Sequence, residues 1–145
     1  MSEKIRACIC CGGGFSSSTM ADHIAKGIVD YQLQDAIDIE FCPFQLVQTR
    51  LDQYDILILC PHLQYEVKQF NRKHKEPVIP MYLLPIKMYG PCDVQELYWD
   101  VVDILDLYKQ NPVCPVQFPD ENNCLKVKRT SAYRTVHPDF VPQSV

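Results

Sequence analysis

Five consecutive residues, Ile56-Leu57-Ile58-Leu59-Cys60, carry no polar side chain on either face of an extended chain. A strand with one face in water alternates polar and apolar residues. A strand covered on both faces, inside a parallel sheet sandwiched by helices, reads as an unbroken apolar run. The run is about strand length, far short of the roughly 20 apolar residues needed to cross a membrane. It therefore predicts a central strand. The rest of the chain must supply parallel neighbours and the helices that connect them.

The flanking sequence does so. Residues 4–10 alternate in buried types and predict a first strand. Gly12, Gly13 and Gly14 then interrupt regular structure. Ser16, Ser17, Ser18 and Thr19 follow as helix-capping types. Ala21, Ile24, Ile28 and Tyr31 recur at helical spacing, with Asp22, His23, Lys26 and Asp30 between them. Ala36 to Phe41 predicts a second strand ending near Pro43, and residues 44–51 a short helix or turn. Leu63, Val67 and Phe70 mark another helix. Pro77 to Tyr82 predicts a fourth strand, which its prolines place near an edge. Val94, Leu97, Val101, Ile104 and Tyr108 step by three and four, giving a final amphipathic helix. On that helix Asp100, Asp103 and Asp106 read as a solvated face. The expected fold is α/β: a four-stranded parallel sheet, flavodoxin-like, with helices on both faces.

From Asn111 the character changes. Residues 112–145 hold five of the eleven prolines and show no helical period. The expected organisation is a domain over residues 1–110 and an irregular, Pro-rich extension over 111–145. The extension is expected to be extended or disordered, resting on the body through Phe118, Tyr133 or Phe140. Its basic run Lys126-Val127-Lys128-Arg129 reads as solvated.

Charge and cysteine usage narrow the function. A net charge of −4 argues against a nucleic-acid binder, which carries a basic surplus. Met1-Ser2-Glu3-Lys4 lacks a basic-then-apolar leader pattern, so the eight cysteines are expected to be reduced thiols of a cytoplasmic protein. Only one C-x-x-C occurs, at Cys8 and Cys11, and no second pair completes a zinc framework. No metal, cofactor or membrane insertion is expected.

The chemistry concentrates in Cys10-Cys11-Gly12-Gly13-Gly14-Phe15-Ser16-Ser17-Ser18-Thr19-Met20. A thiol closes a buried strand, small residues form a tight loop, and a helix begins at once. Glycines let backbone N–H groups turn inward. The helix start adds unpaired N–H donors and positive dipole potential. Together they suit a phosphate-sized anion. The same field favours thiolate over thiol. Strand alternation puts Cys8 and Cys10 on one face, which favours Cys11 over Cys10 as the nucleophile. The loops after strands three and four, with Pro61, His62 and Tyr89, are expected to border the site. His62 is either a tuning group for Cys11 or a polar loop residue.

This arrangement resembles the enzyme IIB component of the lactose/cellobiose family of the bacterial sugar phosphotransferase system. Members open with a strand, a cysteine, three small residues, an apolar residue and a Ser/Thr-rich helix start, matched here by Cys11 to Ser18 and Met20. The segments Tyr54 to Tyr65, Pro77 to Pro80 and Met88-Tyr89-Gly90 look similar to the family's third and fourth strands and their loops. The resemblance covers about residues 4–108. It implies a four-stranded parallel sheet, Cys11 as a phosphocysteine, and a phosphate loop of Gly12, Gly13, Gly14, Phe15, Ser16, Ser17 and Ser18. It also implies two partners: a IIA phosphohistidine donor and a membrane-embedded IIC transporter that binds a lactose/cellobiose-type sugar. Cys10, Cys60 and the extension depart from the family pattern, which keeps open a regulatory or binding domain on the same fold. A third reading is a low-molecular-weight tyrosine phosphatase. Its loop needs an arginine six positions after the cysteine to grip phosphate; here that position is Ser17, and no arginine lies between Arg6 and Arg50.

Overall fold

A computed structural model describes residues 4–11, 16–60, 63–74, 79–85, 93–113, 116–118, 121, 127, 129 and 131–137. Four strands, β1 (Ile5–Cys11), β2 (Ile37–Pro43), β3 (Ile56–Leu59) and β4 (Met81–Leu83), pair in parallel in the order β2-β1-β3-β4. The helices are α1 (Ser16–Asp30), α2 (Phe44–Val47), α3 (Gln64–Lys73), α4 (Val94–Gln110) and α5 (Tyr133–Val136).

The apolar run behaves as its pattern demands: Ile56, Leu57, Ile58 and Leu59 are all fully buried. Ile56 and Ile58 join Ala7 and Ile9 of β1 in a core with Ile24 of α1 and with Val94, Leu97, Val101 and Ile104 of α4. Leu57 and Leu59 join Cys8 and Cys10 in a second core with Phe44 and Val47 of α2 and Val67 and Phe70 of α3. Two cores on opposite faces are what period-2 side chains on a two-sided sheet produce.

Local signals set the helix ends. Gln32 adopts φ 56° and stops α1 in a Schellman arrangement, with Leu33 N donating to Ile28 O and Gln32 N to Val29 O. Asp93 caps α4, its side chain accepting from Gln95 N at 2.9 Å. Between these helices Gly27 allows a close crossing, since a Cβ there would lie 2.5 Å from Val94 Cγ1.

Three expectations need correction. The fourth strand begins at Met81, after Pro80, and not at Pro77. Pro80 has no N–H for the ladder and contributes only its carbonyl, which accepts from Leu57 N. Second, the acidic residues of α4 are not a solvated face: Asp100 and Asp103 are fully buried and Asp106 is nearly so. Third, Arg129 is not solvated. Its side chain is 5% exposed and pairs with Asp100 and Glu121, while Arg134 pairs with Asp103. Carboxylates tolerate such burial only when paired and hydrogen-bonded.

The described part of the extension is thus packed into the body. Val116 forms a parallel bridge with Tyr82 of β4, its N–H donating to Met81 O at 2.8 Å. Phe118 and Tyr133 are buried in the first core, their rings stacked at 4.4 Å. Phe140, Lys126 and Lys128 lie outside the described residues.

Candidate functional site

The strand order points to a candidate site. From β1 the chain passes to β2 on one side, then returns to β3 on the other. In sheets of this kind the crevice beyond the carboxyl ends at the reversal is the ligand position. Here the reversal falls between β1 and β3, and Cys11 is the last residue of β1.

Several backbone contacts fix the end of β1. Cys11 pairs in register with Pro43, the last residue of β2, and Cys10 with Cys42 and Leu59. Cys60 N donates to Cys10 O at 3.1 Å, and Leu84 N donates to Leu59 O at 2.8 Å. The ends of all four strands are therefore tied together beside Cys11. The helix α1 starts at Ser16, with no acidic residue in its first turn to offset the positive end of its dipole.

For Cys11, Ser16, Ser17 and Ser18 the structure gives the backbone, and it brings the strand end and the helix start into the expected sequence. Gly12, Gly13, Gly14, Phe15, Pro61, His62 and Tyr89 lie outside the described residues. Cys60, which leads into Pro61, is buried at the end of β3.

Cys10 is fully buried in the second core, together with Cys8, Cys42 and Cys60. All four are in the reduced form. A hydrogen bond with Cys10 pulls the Cys8 thiol below its ordinary range, against the opposing effect of burial. Burial pushes the Cys42 thiol up. Burial also pushes the Tyr54 hydroxyl up, aided by its hydrogen bond to Glu40 at 3.0 Å. Among the described residues, no group of three or more His, Cys, Asp or Glu is arranged to hold a metal ion. No described helix is long and apolar enough to cross a membrane.

The sequence reading missed a polar centre on the opposite face of the sheet. Tyr82 Oη donates to Asp100 Oδ2 at 2.8 Å and accepts from Arg129 Nη2 at 2.7 Å. Tyr133 N and Ala132 N donate to Asp100 and Glu96. The available signal was a pair of arginines in the extension and three aspartates three residues apart on α4. Their pairing spans about 30 residues of chain and is not visible as a local motif.

A family model described as "PTS system, Lactose/Cellobiose specific IIB subunit" matches residues 6–98. It spans the sheet, α1 to α3 and the start of α4, and it ends before Asp100. No curated protein matches the chain.

Proposed function

The chain belongs to the lactose/cellobiose-specific IIB subunit family of the phosphotransferase system, and on that premise we propose that it carries a phosphoryl group on Cys11. The carrying observation is the placement of Cys11: it ends β1 at the sheet's reversal, one short loop before α1 starts at Ser16.

In this reading the Cys11 thiolate attacks phosphorus of a phosphohistidine on a IIA-type donor. The S–P bond forms as the P–N bond breaks, and the imidazole leaves and takes up a proton. A hydroxyl oxygen of a sugar held by a IIC-type membrane partner then attacks phosphorus. The O–P bond forms, the S–P bond breaks, and thiolate is restored as the hydroxyl proton departs. The transferring group is bound by charge and position more than by covalent chemistry. The donors for its oxygens are the backbone N–H groups from Gly12 to Ser18, including the first N–H groups of α1, helped by the Ser16 and Ser17 hydroxyls. Pro61 and His62 follow β3 in the sequence and Tyr89 follows β4, and we propose that their loops border the same crevice. With no arginine in the loop to stabilise hydrolysis, the phosphocysteine persists long enough to be handed on. The substrate class is a lactose/cellobiose-type disaccharide.

The test is incubation with a phosphorylated IIA donor and mass spectrometry of the product. One phosphate on Cys11 is expected, and none in Cys11→Ser. Equal labelling of that variant would refute the assignment. Hydrolysis of p-nitrophenyl phosphate should be negligible; rapid Cys11-dependent turnover would instead favour a phosphatase.

A further inference from the structure

We propose that Arg129, outside the family-matched segment, is a positioning residue for phosphoryl transfer, acting through Tyr82 and β4. The inference rests on the carrier reading above.

Arg129 is a fully engaged fork. Nε and Nη2 donate to the two oxygens of Glu121 at 2.7 and 2.9 Å. Nη1 donates to Asp100 Oδ2 at 2.8 Å and to Ser131 O at 2.9 Å, and Nη2 to Tyr82 Oη at 2.7 Å. Its guanidinium also lies over the rings of Phe118 and Tyr133. A planar guanidinium satisfied on this many sides has one orientation. It therefore fixes the Tyr82 hydroxyl as an anchored point.

Tyr82 is the middle residue of β4, a strand of three residues. So short a strand has few backbone bonds to hold its register. The anchored hydroxyl and the Val116 bridge add two restraints that the sheet alone does not supply. The path from there to the nucleophile is short. β4 leaves the sheet through Leu84, whose N–H bonds Leu59 O; the next residue of that chain, Cys60, bonds Cys10 O; Cys11 follows. A shift of β4 along its axis is transmitted to the end of β1 through those two bonds.

Arg134 provides an internal control. It belongs to the same segment and pairs with the same helix, but its bonds go to Asp103 and its guanidinium lies over Trp99. It ties the segment to α4 without an anchor on β4.

The experiment uses the full chain and a phosphohistidine IIA donor, well below the unfolding temperature of each variant. Tyr82→Phe and Arg129→Met should lower the maximal rate of Cys11 phosphorylation five- to tenfold, with KM for the donor within twofold of wild type. Arg129→Lys keeps the charge but not the fork and should resemble Arg129→Met. Arg134→Met should leave both parameters within twofold, even where it lowers stability as much. Where Arg129→Met fails to fold, Tyr82→Phe decides, because it keeps the Arg129–Asp100 pair. Wild-type rates in the Tyr82 and Arg129 variants, or an equal loss in Arg134→Met, overturn the proposal while leaving the carrier reading intact. A wild-type chain that takes no phosphate on Cys11 overturns both.

Discussion

Arg129 Nη1 lies 2.8 Å from Asp100 Oδ2, with the two side chains 5% and 0% exposed. Removing one partner strands the other charge out of water. Asp100→Ala is therefore expected to destabilise the protein by about 3–5 kcal/mol. Glu121 remains beside Arg129, so the loss should sit toward the lower figure. Urea denaturation of both proteins measures it, and a change under about 1 kcal/mol would show that Glu121 alone suffices.

The same carboxylate predicts a pH dependence. Burial pushes Asp100 above the ordinary carboxylate range, against the pull of Arg129. The native state then binds the Asp100 proton at higher pH than the unfolded chain, where the value is about 3.9. Its contribution to stability is fully present below the unfolded value and is lost as pH rises through the native one. The wild type should gain stability relative to Asp100→Asn as pH falls from 7 toward 4. A difference that stays constant, or moves the other way, would place the native carboxyl at or below its ordinary range.

Gly27 sets two effects against each other. Alanine is favoured over glycine inside a helix by about 1 kcal/mol. A Cβ at 2.5 Å from Val94 Cγ1 forces α1 away from α4, and overpacking of this kind costs about 1–3 kcal/mol. Gly27→Ala should be net destabilising on its own. Combined with Val94→Ala, which removes the colliding methyl groups, Gly27→Ala should become neutral or favourable. Additive effects would mean that the helices separate freely at this point.

Cysteine reactivity tests the loop's electrostatics without any partner protein. Cys8, Cys10, Cys42 and Cys60 are buried, whereas Cys11 ends a strand ahead of a helix start. At about pH 6, iodoacetamide should label Cys11 at least tenfold faster than those four in the folded chain. Similar rates would show that no thiolate is stabilised there.

Much of this architecture can be read from periodicity. The unbroken run at Ile56 to Leu59 predicts a doubly covered strand, and the alternation through Cys8 and Cys10 predicts one buried face for both. The place of the candidate site follows from the strand order. The Asp100–Asp103–Asp106 series is a different case. Aspartates spaced by three on an amphipathic helix have the pattern of a wet face. Their cations come from a segment whose prolines suggest an irregular extension. Burial there is decided by tertiary pairing, which local periodicity does not encode. The start of β4 at Met81 is a smaller example, set by a missing N–H at Pro80.

The bridge from Val116 also bears on how copies of this molecule meet one another. An open sheet has two rims, and each is a template on which another chain can add a strand. At β4 the Met81 carbonyl is already taken by the molecule's own backbone. At β2 the rim is guarded by chemistry: Asp38 and Glu40 are exposed there, and the strand ends in Pro43. One rim is occupied and the other is made repellent to a copy of itself. The fold thereby discourages rim-to-rim stacking between copies of the sheet.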